Sequence, residues 1–342
     1  MAKCKLDITL KGNKTHYTVG DTVSGRVNVS VDAECKCDEL FIEKLWQTHG
    51  RGNKDKGKAE KVVLYQGTWQ PGEYGYDFEF ELLDEPISYK GKYINIDWYL
   101  KARADIPWAL DPKAEQDIVL VANPEKNARN ARSVLSDNEE LTQEDAFEML
   151  KDNDKAKMII GLVGFLSLVV PVYFVLTGWR DSDYFQVIFG AVFLGGISSL
   201  AWKLLKPLVA QKKLGKVVYE LSETACSAGE SVDINVSFTP PSDITINDVK
   251  AKLVMTERAV SGSGTNRTTH SHVHQHGEKL ITGQSLLRAG AAFEKTVSLS
   301  LPNSLMHTFH AGDNSLSWSI VLEIDVPNWP DWSRSEHISV SS

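Results

Sequence analysis

At 342 residues the chain is too long for one ordinary domain and long enough for two sandwich-sized domains with material to spare. It carries 45 acidic against 37 basic side chains, a net charge of −8, and so lacks the electrostatic footprint of a nucleic-acid binder. Four cysteines are too few for a disulfide framework in so long a chain.

The opening MAKCKLDITLKGNK has no apolar core before a small-residue cleavage site, so no secretory signal is expected and the first domain is expected in the cytosol. Next comes TVSGRVNVSV (22–31), with Val23, Val27, Val29 and Val31 on one parity and Ser24, Arg26, Asn28 and Ser30 on the other, which predicts a half-buried strand. Cys35 and Cys37 stand one residue apart rather than the two of a redox pair, and read as free thiols near a strand end. DFEFEL (77–82) and INIDWYLKARADIP (94–107) continue the alternation. Pro107 cannot donate to a ladder and marks where its strand leaves the sheet.

The same order returns later in the chain. SVDINVSF (231–238) repeats the first strand pattern, Ile246-Asn247-Asp248-Val249 aligns with Cys37-Asp38-Glu39-Leu40, TVSLSL (296–301) aligns with DFEFEL, and NSLSWSIVLEIDVP (314–327) aligns with INIDWYLKARADIP. In the last pair Trp98 meets Trp318, Asp105 meets Asp325 and Pro107 meets Pro327, so ADIPWALD (104–111) has a near copy in IDVPNWPD (324–331). Each half therefore predicts an antiparallel sandwich of short strands. Trp108 and Trp329, beside those prolines, are expected to cap the sandwich cores, with ligand stacking as the minor reading.

Between the halves, residues 123–157 form a polar acidic linker in which Thr142 and Asp145 predict a short capped helix. Two charge-free apolar runs follow, beginning at Met158 and at Tyr184, each long enough to cross a hydrocarbon layer of roughly 30 Å as a helix. The expectation is a transmembrane hairpin over 158–205, with spans 158–179 and 184–205. Lys151, Lys155 and Lys157 before it and Lys203, Lys206, Lys212, Lys213 and Lys216 after it outnumber Arg180 in the connection, which places both termini in the cytoplasm. Ala191, Gly195 and Ser199 form a small-residue stripe for helix packing, against the other span or a second copy. With cytoplasmic domains, the sequons at Asn13, Asn28, Asn235 and Asn266 are chance matches.

THSHVHQHGE sets His270, His272, His274 and His276 at alternate positions, on one face of an extended strand. Neutral imidazoles bind zinc, nickel and copper, and a set titrating near neutrality also makes a pH-responsive surface. Same-face neighbours nearly 7 Å apart converge on one ion only if the strand bends, so a plain exposed edge hairpin is the simpler reading. No phosphate loop, dinucleotide fingerprint, nucleophile elbow or zinc-protease motif occurs, and no catalytic or cofactor-binding residue is assigned.

The pattern YTVGDTVSGRVNV, with Tyr17, Gly20, Asp21, Val23, Gly25 and Val27, then KCDELFIEKLW, GTWQPGEYGYDFEFEL and YKGKYINIDWYLKARADIP, resembles the arrestin-like fold of alpha-arrestins, the arrestin-like retromer subunit and bacterial sporulation-control proteins. The second half matches more weakly, with Cys226-Ser227-Ala228-Gly229-Glu230 in place of the tyrosine-led turn. The resemblance implies an adaptor that binds other proteins at membranes, with no catalytic residues. There is no Pro-Pro-x-Tyr motif, since Ser242-Asp243 follows Pro240-Pro241.

The sequence thus predicts an all-β protein of tandem antiparallel sandwiches, residues 1–122 and 206–342, around a central two-helix membrane hairpin. The expected function is a membrane-anchored, non-enzymatic scaffold that positions membrane-associated proteins, with self-association through the second span or the sheet edges as a further expectation. The alternative is a metal- or pH-responsive sensor built on the strand from His270 to His276.

Overall fold

The computed structural model describes residues 4–83, 86–123, 172–177, 179–180, 184–185, 187–188, 191–192, 212–303 and 305–341. The first half contains β1 (Cys4–Leu10), β2 (His16–Thr18), β3 (Thr22–Val31), β4 (Cys35–Gly50), β5 (Glu60–Trp69), β6 (Gly72–Glu81), β7 (Tyr89–Lys90), β8 (Ile94–Asp105) and β9 (Lys113–Val121). The second contains β10 (Val218–Leu221), β11 (Ala225–Ser227), β12 (Ser231–Phe238), β13 (Ile244–Ile246), β14 (Asp248–Ser261), β15 (Thr268–Thr282), β16 (Ser285–Leu287), β17 (Phe293–Ser300), β18 (Phe309–His310), β19 (Asn314–Asp325) and β20 (Trp332–Ser341).

The repeat seen in the sequence is a repeat of topology. One sheet of the first half runs β1-β3-β6 and the other β2-β9-β8-β4-β5, with β7 beside β8. The second half matches this with β10-β12-β17 and β11-β20-β19-β14-β15, with β18 beside β19, and adds the small pair β13-β16. Even the register is kept: Glu39 lies opposite Asp105 and Asp248 opposite Asp325.

Alternation drives the sandwiches together. Val23, Val27, Val29 and Val31 of β3 are buried with Leu40, Ile42, Trp98 and Leu100, while Val232, Ile234 and Val236 of β12 are buried with Leu253, Trp318 and Ile320. Both repeat tryptophans satisfy their indole N–H inside the core, Trp98 donating to the Pro86 carbonyl and Trp318 to the Met306 carbonyl, each at 2.7 Å. The four cysteines are free and buried, and burial pushes the Cys4 and Cys37 thiols up to about 11 and about 12.

Four expectations are corrected. Among the described residues no helix is long and apolar enough to cross a membrane. A charge-free run satisfies the composition of a span, but crossing also needs the whole length in one helix. The hairpin over 158–205, the integral-membrane placement with both termini cytoplasmic and the description as a transmembrane protein therefore do not stand; the remaining residues of both runs lie outside those described, as do the helix around Thr142, Gly195 and Ser199. Ala191 is described, helical and exposed.

The fourth correction is Trp108. It caps no core: its side chain is fully exposed, at 106%, and its backbone is left-handed, with φ of 61°. That conformation costs a residue with a Cβ about 1–2 kcal/mol. Trp329 is 42% exposed and lies under the Lys213 ammonium, 4.6 Å from the ring centre.

Candidate functional site

The seam between the two halves is built by exchange. The long central strands β4 and β14 each run past their own core, and each receives the turn that precedes the other half's long strand. Thr48 on β4 and Glu257 on β14 occupy equivalent places, as do the turns at 90–94 and 310–314.

Glu257 lies on the parity of Val249, Ala251, Leu253, Met255 and Ala259, and is fully buried with them. It is not buried bare. Its Oε2 accepts the N–H groups of Tyr93 (2.7 Å) and Ile94 (3.2 Å), and its Oε1 accepts the Lys92 N–H (3.0 Å) and the Tyr89 hydroxyl (2.9 Å). The His274 Nε2 lies 2.5 Å from Oε1. Burial alone would raise the carboxyl, but the N–H donors of Tyr93 and Lys92, the Tyr89 hydroxyl and His274 outweigh it and hold Glu257 below the usual glutamate value, so it is a carboxylate at neutral pH. Burial, and then the same carboxylate, push the Tyr89 phenol up. Gly91 makes the close approach feasible, since a Cβ there would stand 2.5 Å from Oε1 of Glu257.

On the other side, the Asn314 side-chain N–H₂ donates to the Thr48 hydroxyl (3.1 Å), the Asn53 carbonyl (2.7 Å) and the Asp55 carboxylate (2.7 Å). Asp55 also accepts the Asp313 N–H at 3.0 Å, and the Asn53 amide reaches the Asp313 carboxylate (2.8 Å) and the Gly262 carbonyl (2.9 Å). Backbone bonds continue the join, from Asn53 N–H to the Val260 carbonyl at 2.8 Å. His307, itself buried, accepts the Ile87 N–H at 3.2 Å. Apolar packing crosses as well: Ile87, Ile94 and Ile96 of the first half join the core of the second, and Trp46 meets Phe309 edge-on at 5.4 Å.

The four sequence-predicted histidines line the seam at different depths. His274 binds Glu257, and its ring stands perpendicular to that of His272 with centroids 4.4 Å apart. The Lys92 ammonium lies 3.4 Å from Nδ1 of His272, and Tyr93 meets both His270 and His272 edge-on. His276 turns to Trp318, with ring centroids 4.7 Å apart. Among the described residues no three His, Cys, Asp or Glu groups are arranged to hold a metal ion. The His274 nitrogen is taken by a carboxylate and a cation already faces His272. Desolvation, then Lys92 and His274, lower the His272 pKa from the ordinary value of 6.5, and desolvation, then His274, lower that of His276.

Sequence reasoning missed Glu257, Asn314, Thr48, Asn53 and Asp55. One signal was present: Glu257 is the acid that interrupts an otherwise apolar parity in VKAKLVMTERAV.

No family model matches the sequence. Among solved structures, the chain is similar to Spo0M, a sporulation control protein from Bacillus subtilis, at 19% identity over 37% of this chain and 49% of that one, with a TM-score of 0.31. The match thus spans about half of that protein's length. The architecture itself is two β-sandwiches with the same strand order, antiparallel except for the parallel edge pairs β2-β9 and β11-β20.

Proposed function

We propose that the protein is an adaptor that binds other proteins along the outer strands of its sandwiches. The observation that carries this reading is the pairing of a stiff frame with two open edges. β5 and β15, of 10 and 15 residues, each end their sheet, and exposed Val63 on one and Val273 and Leu280 on the other lie along those edges. An unpaired edge offers a row of backbone donors and acceptors to an extended segment of another chain. The seam holds the two edges in fixed relation, which lowers the ordering cost of a partner that touches both.

The test is affinity purification of the full chain with quantitative mass spectrometry, beside a Val273→Lys, Leu280→Lys double variant. Both positions are exposed, so the variant is expected to melt as the parent does while losing its specific partner about tenfold or more. Undiminished recovery of the same partners would remove β15 from the function.

The second reading is response to pH, favoured by the bond between His274 and Glu257 across from the Lys92 turn. With the pKa values of His272 and His276 below 6.5 in the folded chain, the unfolded chain takes up more protons as pH falls through that value, so the seam weakens on acidification. The groups facing His272 divide in sign: Lys92 and His274 repel a new imidazolium there, and Glu257 favours one but, already committed to N–H donors, only partly offsets them. Denaturant midpoints are expected to drop between about pH 7.5 and about pH 5.5, and His272→Asn to flatten that drop. An identical slope in the variant would exclude His272 as the sensor. Zinc added alone at neutral pH serves as the control for a metal response.

A further inference from the structure

The turns that close the long strands at the far ends of the molecule are counterparts, DIPWALDP after β8 and DVPNWPDW after β19. In each, the residue after the proline is left-handed: Trp108 in the first, with φ of 61°, and Asn328 in the second, with φ of 63°. Asparagine is the ordinary occupant of such a position, and a large aromatic residue is not. The second turn shows that the same geometry is built without a tryptophan at this place; its own tryptophan, Trp329, comes one residue later and lies beneath Lys213.

Nothing in folding rewards the choice in the first turn. The Trp108 indole is exposed, and among the described residues it makes no hydrogen bond or ring contact. Leu110 beside it is also exposed, at 86%. Yet the turn is held firmly. The Asp111 carboxylate accepts the Ile106 N–H at 3.2 Å and is clasped by Arg103, Ala109 N–H bonds the Ile106 carbonyl at 3.2 Å, and Ala104 N–H bonds the Pro112 carbonyl at 3.2 Å. The Ile106 N–H and Arg103 hold the Asp111 carboxyl below the usual range, so the clasp persists at neutral pH. A strained backbone, fixed by its surroundings and presenting a large apolar side chain to solvent, is the signature of a position kept for binding.

We propose that Trp108 and Leu110 are the anchor of a protein–protein contact, filling an apolar pocket with a basic rim on a partner. Tryptophan is the residue most enriched among binding hot spots. Charge sets the rim: Asp105, exposed and without an ion pair among the described residues, flanks the tip, while Arg103 and Lys113 both act on Asp111 and Lys61 is spent on Glu39. The net charge of −8 on the chain disfavours an anionic lipid surface. The tip stands roughly 35 Å along β8 from the seam, so the contact is separate from the His270–His276 strand.

The inference rests on the adaptor reading but fails separately from it. A photoreactive benzophenone side chain placed at position 108 of the full chain is expected to give one discrete protein adduct in the native cells. That protein, identified and purified, is expected to bind the parent chain and to bind Trp108→Asn at least about 30-fold more weakly, while the variant melts at the same or a higher temperature. A partner that binds parent and variant alike overturns the anchor and leaves the adaptor intact; no partner for either overturns both. A lower melting temperature would make Trp108 structural, and Trp108-dependent binding to vesicles of phosphatidylcholine and phosphatidylglycerol would make the occupant lipid; either overturns the proposal.

Discussion

Glu257→Ala is expected to lower the stability of the folded chain by about 3–5 kcal/mol, the range for removing one member of a buried charged network. The size follows from what is left behind. Replacing both members of a buried polar pair by apolar groups can be nearly neutral, but three of the donors here are the backbone N–H groups of Lys92, Tyr93 and Ile94, which no substitution removes. They would be left in a site where the Glu257 side chain has 0% exposure. Glu257→Gln keeps one acceptor oxygen but turns an N–H₂ group toward donors, so it should fall between, at about 1–3 kcal/mol. Denaturant titration measures both. A loss under about 1 kcal/mol for alanine would mean that water or a shifted turn satisfies the donors, and that the seam is not the tight join described above. The folded pKa of Glu257 lies below its ordinary 4.5, so its contribution is present above that value and is lost only as pH falls through the depressed one. Any weakening near pH 6 therefore belongs to the histidines.

The elements within each sandwich were legible in the sequence, because burial on one face writes itself as alternation. Val23 to Val31 and Val232 to Phe238 form the strands their parity predicts, and the alignment of Trp98 with Trp318 anticipates two indoles bonded to equivalent carbonyls. The seam was not legible, because its partners are more than 160 residues apart in sequence, as with Glu257 and Lys92, and follow no period. Even so, an acid on the buried parity of a strand states that something must donate to it. The apolar runs at 158–179 and 184–205 misled for a different reason: hydropathy reports which segments avoid water, and among the described residues no helix is long and apolar enough to cross a membrane. Trp108 misled because aromatic content argues for burial, whereas the turn's left-handed backbone, set by Pro107 and the Asp111 clasp, points the ring outward.

Asn314→Asp tests the other side of the seam with a change of barely one atom. The Asn314 amide now donates to three acceptors: the Thr48 hydroxyl, the Asn53 carbonyl and the Asp55 carboxylate. An aspartate in its place sets an oxygen with no hydrogen against the Asn53 carbonyl and a second carboxylate against Asp55, in a site where residue 314 is almost wholly buried. Two lost hydrogen bonds and a like-charge contact put the expected destabilisation at about 3 kcal/mol or more at neutral pH. Asp55→Asn should then act as a partial suppressor. The new amide at 55 can donate to the new carboxylate at 314, which restores one donor and acceptor pair with its direction reversed and removes the charge repulsion. The double-mutant cycle is therefore expected to show favourable coupling of about 1–3 kcal/mol, although Asp55→Asn alone destabilises. Additive losses would show that residues 55 and 314 do not act on each other, and that the two halves are joined chiefly by the apolar packing of Ile94, Ile96, Trp46 and Phe309.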